Sequence, residues 1–171
     1  MNEIATIIGI WKEGLLSDEE VVVWADEWIL ESEYPEEEMI ELSLKGPKAC
    51  SKKPSYEFPS SRDFSFSERF ALRAVNIDLD SNTDIDAFIS WLTRACTGED
   101  IDLPEVMLGY HVDHYAWDCD DMPHAVRHLK KEMAALLPKC TEFVASLEAQ
   151  CLTSQSTTRL RRRTQQSCAG Y

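Results

Sequence analysis

All four histidines of the chain lie in one stretch, HVDHYAWDCDDMPHAVRH, which also contains four aspartates and one cysteine; we call it the histidine segment (residues 111–128). The pairs His111-x-x-His114 and His124-x-x-x-His128 have spacings that place two ligands on one face of a helix. Imidazole and carboxylate together suit a divalent metal ion. One hypothesis is therefore a metal-dependent helical enzyme that uses this segment.

The surroundings of these histidines weaken the metal hypothesis. His114 falls on the apolar arc of its predicted helix, where a histidine is usually a core residue with its hydrogen bonds satisfied. His124 and His128 lie beside Arg127 and Lys131, whose positive charge opposes binding of a cation. The acidic run also lacks the central glycine and terminal glutamate of an EF-hand loop. We therefore expect no metal and no other cofactor.

Nucleophilic catalysis by a cysteine and a histidine is the second chemistry to consider. The sequence contains no nucleophile elbow, glycine-rich phosphate cradle, HExxH motif or kinase signature. None of the six cysteines forms a C-x-x-C pair, so we expect free thiols in a reducing compartment. The sequence predicts a protein that is not an enzyme.

The charge of the chain indicates the kind of partner. Thirty-one Asp and Glu against 17 Lys and Arg give a net charge of −14, which argues against direct binding of nucleic acid phosphates. Residues 1–45 contain 13 acidic residues and only two lysines, a local net charge of −11. Such a surface either keeps the protein soluble or binds a basic protein.

Helical periodicity predicts how the acidic residues are positioned. Apolar residues recur at three- and four-residue steps over 2–16 and again over about 18–32, where Ser17 and Glu20 form a capping box. Pro35 suits the first turn of a third helix. On the second helix, two apolar residues fall among the acids and not with the core, which predicts an apolar centre for an interface. The predicted partner-binding residues are Val23, Asp26, Glu27, Leu30, Glu31, Glu37 and Glu38. A second-choice surface comprises Tyr115, Asp118, Asp120 and Asp121.

The rest of the chain also favours helices. We expect helices at about 84–95, capped by Asp84, then at 104–117, 122–137 and 141–151, with Pro138 separating the last two. The predicted fold is all-α: a single compact domain over residues 1–151 with six to eight helices and little or no sheet. A loose connection is expected at about 46–62. Residues 152–171 are polar, contain four Arg and no acid, and are expected to be a disordered tail.

No apolar run reaches the length of a membrane span, and no basic region precedes the apolar start of the chain. We therefore expect a cytoplasmic protein that does not associate with a membrane.

The stretch IIGIWKEGLLSDEEVVVWADEWILESEYPEEEMIELSL (residues 7–44) resembles the opening of small acidic, helical immunity proteins of bacterial polymorphic or contact-dependent toxin systems. The shared features are a helix with a tryptophan, a Gly-Leu-Leu-Ser entry to a second helix, a Trp-Ala-Asp core and a third helix introduced by proline. The resemblance covers about a quarter of the chain.

The resemblance implies a cytoplasmic protein without enzymatic activity that binds one cognate toxin domain, often a nuclease, and blocks its active site or substrate groove. A nuclease groove is basic, so an acidic helical face can take the place of the phosphates. An acidic adaptor of a basic host protein has the same electrostatics and stays open as an alternative, as does the metal-dependent enzyme. The oligomeric state and the role of the tail stay open as well.

Overall fold

The structure, a computed structural model, describes residues 2–151, except for the side chains of Glu148, Gln150 and Cys151. Over this range it contains eight α-helices, one π-helical segment and no strand, which confirms the predicted all-α class. The helices are α1 (Glu3–Lys12), α2 (Asp18–Glu31), α3 (Glu37–Lys45), α4 (Pro47–Cys50), α5 (Phe66–Ala74), α6 (Asn82–Ala95), α7 (Pro104–Asp113) and α8 (Met122–Cys151), with the π-helical segment at His114–Asp118. The tail predicted at 152–171 lies outside the described residues.

Two helices begin with the same local device. At α2, the Ser17 hydroxyl accepts from the Glu20 amide at 3.1 Å while the Glu20 carboxylate accepts from the Ser17 amide at 2.8 Å, so the predicted capping box is confirmed. Ser65 and Glu68 form the same box at α5. Each box satisfies two amides that have no partner within their helix.

Two other helix starts differ from the prediction. Helix α3 begins at Glu37, so Pro35 lies in the connection before it and not in its first turn. Helix α6 begins one turn earlier than expected, because the Ser81 hydroxyl accepts from the Asp84 amide and thereby places Asp84 inside the helix. The polar first turn of α6 had no apolar residue to reveal it.

The prediction of two helices on either side of Pro138 is wrong, because α8 is one continuous helix of 30 residues with Pro138 inside it. A proline in a helix interior costs about 3 kcal/mol, through a lost hydrogen bond and a clash. Burial offsets this cost: Met133, Cys140 and Leu147 are buried at seven-residue intervals on both sides of the proline.

The chain divides into two compact units. The first comprises described residues 2–64 and the end of α8 from Ser146, and the second comprises residues 65–145. In the first unit, α1 is buried over most of its surface, which includes Thr6 and Gly9 as well as its isoleucines. The core of this unit contains Ile4, Ile7, Ile8, Val21, Trp24, Ala25, Met39, Leu42, Cys50 and Phe58.

Gly9 explains why one side of α1 can be covered by backbone. A Cβ at this position would lie 2.6 Å from the Arg62 carbonyl oxygen and 2.8 Å from the Phe64 ring. The Arg62 amide donates to the Ala5 carbonyl of α1 at 2.8 Å. The end of the predicted connection and the residues directly after it are thus held against the helix.

The segment at 46–62, for which a loose connection was predicted, starts with α4 and then passes through turns. It buries the side chains of Cys50 and Phe58 completely or nearly so. Two apolar anchors among polar residues hold it within the first unit.

The second unit has its own core, built from α5 to α8. Aromatic rings form part of it: Phe66 stacks on Trp91 with centroids 6.1 Å apart, and Phe70 meets Phe88 edge to face at 5.8 Å. Helices α6 and α7 approach closely at Gly109, where a Cβ would lie 2.7 Å from the Cys96 sulfur. This glycine determines which side of α7 faces the core.

Among the residues that the structure describes, no helix combines the length and the apolar character needed to cross a membrane.

Candidate functional site

Helices α2 and α3 with their connection form an acidic hairpin (residues 18–45), which contains most of the predicted partner-binding surface. It holds 11 acidic residues and one basic residue, Lys45, over 28 positions. The two helices pack through Val21, Trp24 and Ala25 of α2 and through Met39 and Leu42 of α3, all of them buried. The acidic residues therefore lie on two regular helices that are held together by buried apolar side chains.

Two polar contacts fasten α3. The Ser43 hydroxyl donates to the Asp26 carboxylate at 2.5 Å and so links the two helices. Glu41 accepts from Lys45 at 2.5 Å and from Lys53 at 2.6 Å. These ammonium groups, Lys45 before Lys53, hold the pKa of Glu41 below its ordinary value. Both Asp26 and Glu41 thus have partners within this unit.

The acidic hairpin also exposes three large apolar side chains. Leu30 near the end of α2 is 85% exposed, Tyr34 in the connection is 83% exposed, and Leu44 near the end of α3 is 78% exposed. Ile40, one helical turn before Leu44 on the same face of α3, is 38% exposed. Single exposed apolar residues are ordinary, but several within 28 acidic residues of one hairpin are not accounted for by solubility.

The structure separates the seven predicted partner-binding residues into two groups. Asp26, Leu30, Glu31 and Glu37 are exposed, whereas Val23, Glu27 and Glu38 are half-buried. The apolar centre that the sequence predicted at Val23 and Leu30 is therefore displayed mainly by Leu30.

Sequence reasoning missed Tyr34 and Leu44. Tyr34 lies in SEYPEEE, where an isolated aromatic among acids is itself a signal. Leu44 could have been found from the periodicity of α3, because Met39 and Leu42 define its buried side, and Ile40 and Leu44 are off that side.

The histidine segment has an irregular backbone. Helix α7 passes at His114 into a π-helical turn, in which the Cys119 amide donates to the His114 carbonyl at 3.0 Å. The Asp121 amide then donates to the Tyr115 carbonyl at 2.9 Å, and Asp120 between them adopts a φ of +52°. π-helical turns are rare in proteins, and those that occur often lie at functional sites.

The prediction that His114 belongs to the core is wrong, because its side chain is 58% exposed. The apolar arc on which it was placed includes Met107, Tyr110 and Trp117, which are all exposed. The buried side of α7 instead contains Gly109, because the helix approaches Cys96 of α6 there. A hydrophobicity pattern gives no weight to glycine. The predicted orientation of α7 therefore did not place Gly109 against α6.

Three of the four histidines contact one aromatic ring, that of Tyr115. Tyr115 stacks on His124 at a centroid distance of 4.1 Å, and it meets His128 at 5.5 Å and His114 at 5.6 Å. His111 lies 5.3 Å from His128. Burial is the main cause that lowers the pKa of His128 below its ordinary value. Within residues 2–151, no group of three or more His, Cys, Asp and Glu side chains is arranged to hold a metal ion.

The second-choice surface consists of residues with local structural contacts. Asp118 pairs with His114 at 3.1 Å, and the Asp121 carboxylate accepts from the His124 amide at 2.9 Å, as a capping residue does at the start of a helix. Tyr115 is half-buried against the histidines, and Asp120 occupies the left-handed position. Each of the four residues thus has a local role in the structure of the histidine segment, and the proposed binding surface there stays a prediction.

A cleft of about 310 Å³ in the second unit was not predicted. Phe70, Leu103 and Phe143 give it an apolar lining, and the Ser67 hydroxyl donates to the Glu105 carboxylate at its wall. Glu105 is only 9% exposed. Its position in LPEVM, directly after a helix-starting proline, reads as a first-turn acid and gives no sign of burial.

No family model, curated protein or solved structure matches this chain. The acidic hairpin and the histidine segment are therefore interpreted from their own geometry.

Proposed function

We propose that this chain is an immunity-type protein, which acts in the cytoplasm without catalysis by binding a basic toxin domain of the nuclease kind through its acidic hairpin. The observation that carries the proposal is the exposure of Leu30, Tyr34 and Leu44 within a hairpin that has 11 acidic residues and one basic residue.

The two properties of the acidic hairpin support different parts of binding. Its negative potential attracts a basic surface and raises the rate of encounter, while exposed leucine and tyrosine side chains supply the area that loses water in the complex. An acidic surface needed only for solubility gains nothing from exposed leucines. The resemblance of residues 7–44 to immunity proteins agrees with this interpretation.

Exposed acidic residues at the junction of the two helices best fit the role of phosphate mimics. Glu31 and Glu37 are exposed at the end of α2 and the start of α3. Asp26 is already bonded to Ser43, so we expect it to contribute less than the sequence suggested. An acidic adaptor of a basic host protein shares this surface, and only the identity of the partner separates the two functions.

The test begins with the gene beside the one for this chain, since an immunity protein accompanies a large secreted protein with a toxin domain. The purified toxin domain should bind this chain and lose its activity in proportion to the complex formed. Leu30→Asp should weaken binding at least about tenfold, mainly through faster dissociation. The pair Glu31→Lys and Glu37→Lys should slow association and reduce its dependence on salt.

Matched controls lie in the second unit. Ile101 is 53% exposed, so Ile101→Asp makes a similar apolar-to-acidic change on the surface of the other unit. Asp86 and Asp102 are exposed and serve as charge-reversal controls. Normal binding by the folded Leu30→Asp and double-lysine variants would exclude the acidic hairpin as the binding surface. An adjacent toxin domain that this chain neither binds nor inhibits would contradict the proposed function.

A further inference from the structure

Cys119 contacts a histidine that is itself held by a carboxylate. The Cys119 sulfur lies 3.4 Å from the His114 Nε2 atom, and the His114 Nδ1 atom lies 3.1 Å from the Asp118 carboxylate. The three side chains form a continuous chain of contacts from thiol to imidazole to carboxylate. The order is that of a nucleophile, its base and the group that orients the base.

The carboxylate determines which ring nitrogen carries the proton. An ionised carboxylate only accepts hydrogen bonds, so the Asp118 contact requires a proton on Nδ1 of His114. In the neutral ring this leaves Nε2 with a lone pair directed at the Cys119 sulfur. The thiol can therefore donate its proton to His114.

The π-helical turn creates this arrangement. In a regular helix, residues five apart lie on different sides, whereas the i→i+5 hydrogen bond of a π-helical turn brings residue i+5 closer to residue i. The bond from the Cys119 amide to the His114 carbonyl holds the two residues close together, and the four-residue spacing brings Asp118 to the other ring nitrogen of His114. All three groups come from six consecutive residues.

Cys119 also differs from the other described cysteines in its access to solvent. Cys50, Cys96 and Cys140 are buried, and burial raises the pKa of each of these thiols above its ordinary value. Cys119 is exposed. The buried thiols provide internal controls for reactivity in the same molecule.

We propose that Cys119 is a reactive thiol that undergoes exchange with small, positively charged disulfides, with His114 as its proton acceptor and Asp118 as the residue that positions His114. Residues 113–121 contain four aspartates and no lysine or arginine, which favours a cationic reagent over an anionic one.

The exchange balances without any further reagent. The Cys119 proton passes to Nε2 of His114, and the sulfur attacks one sulfur of the small disulfide. A new disulfide bond forms to Cys119, the original disulfide bond breaks, and the second half leaves as a thiolate with the electron pair. That thiolate can take the proton from His114, which restores the neutral ring.

Cystamine, a small dication, tests the proposal on the full chain at neutral pH, with Cys119 located by peptide mass spectrometry. The reference for intrinsic reactivity is the same peptide in the chain unfolded by urea. We expect Cys119 in the folded protein to react faster than this reference, while Cys50, Cys96 and Cys140 react far more slowly. His114→Gln should lower the rate at Cys119 by roughly three- to tenfold, because it removes the side chain that accepts the thiol proton.

Two further variants separate positioning from simple loss of structure. Asp118→Asn should lower the rate at Cys119, and Asp118→Glu, which keeps a carboxylate, should restore it to within about twofold of the original. His111→Gln should leave the rate unchanged, since this exposed histidine contacts His128 and not Cys119. Circular dichroism of each variant verifies that the helices are retained.

The choice of reagent tests the charge argument. Relative to the unfolded reference, Cys119 should prefer cystamine over the dianion 3,3′-dithiodipropionate by several-fold at low salt, and the preference should fall as salt is added. The proposal is overturned if the folded protein reacts no faster than the unfolded chain, or if His114→Gln reacts as fast as the original. If the two reagents react equally fast relative to the unfolded reference, the proposed preference for cationic disulfides is wrong. None of these outcomes depends on the toxin partner.

Discussion

The acidic hairpin and the histidine segment differ in how they generate a surface with chemical character. The acidic hairpin uses regular helices, and its character comes from which residues the helices leave exposed. The histidine segment uses an irregular backbone, and its character comes from contacts within a few consecutive residues. The first kind of site follows from periodicity, whereas the second depends on a local departure from it.

The largest effect is expected from two leucines of the same helix. Leu42 is fully buried against α2 and Leu44 is 78% exposed. Leu42→Ala should lower the free energy of unfolding by about 2–5 kcal/mol, because it leaves a cavity in the seam of the acidic hairpin. Leu44→Ala should change it by less than about 0.5 kcal/mol. Urea unfolding followed by circular dichroism measures both.

The two variants test whether Leu44 is a surface residue that the fold does not need for its stability. If Leu44→Ala also costs several kcal/mol, Leu44 supports the fold and does not belong to a binding surface. If binding of a toxin domain of the proposed kind falls for Leu44→Ala while stability is unchanged, Leu44 joins Leu30 in the proposed interface.

Sequence reasoning found the acidic hairpin because its signals are periodic and local. One helical repeat predicts the buried residues Val21, Trp24 and Ala25 and the exposure of Leu30. The capping box at Ser17 marks where this helix begins. Val23 was assigned to the surface by the same repeat, but it is half-buried. An angular position on one helix cannot show how far a second helix covers its flank.

The sequence was enough to locate the histidine segment, but it did not predict how its side chains are arranged in space. The spacing of His111 and His114 assumed a regular helix, and the chain changes to a π-helical turn at His114. The hydrophobicity pattern also failed to predict the orientation of α7, which depends on the close approach of Gly109 to Cys96. Pro138 shows the same limit, since burial along α8 outweighs a local signal for a helix end.

A smaller effect is expected at Asp120, which follows the π-helical turn and has a φ of +52°. Aspartate tolerates the left-handed region better than most residues, and glycine adopts it without a steric penalty. Asp120→Ala should lower the free energy of unfolding by about 1 kcal/mol, while Asp120→Gly should leave it nearly unchanged. Equal losses in both variants would show that the carboxylate, and not the backbone angle, matters there.

The smallest effect concerns pH and His128, whose Nε2 atom is buried without a hydrogen-bond partner in the described part of the chain. Burial lowers the pKa of His128 below its ordinary value of 6.5, so the unfolded chain binds the proton more readily than the folded one. Its contribution to stability is therefore complete above 6.5 and is lost as the pH falls below that value. Nearby His111, His124 and Lys131 also oppose the charged ring, and Glu132 favours it.

His128→Gln should therefore lose less stability than the original protein between about pH 7 and about pH 5. This window lies above the ordinary pKa of Glu41, 4.5, whose lysine contacts lower it further, so loss of that acidic-hairpin contact does not interfere. The comparison uses urea unfolding at both pH values, with His114→Gln as the control, because His114 is 58% exposed and is not among the groups that oppose the charge of His128. Both substitutions remove one histidine, so a difference between them reports the environment of His128. If both variants follow the original protein over this range, the buried nitrogen of His128 does not govern the pH response, and the histidine segment is as insensitive to mild acid as the regular helices of the acidic hairpin.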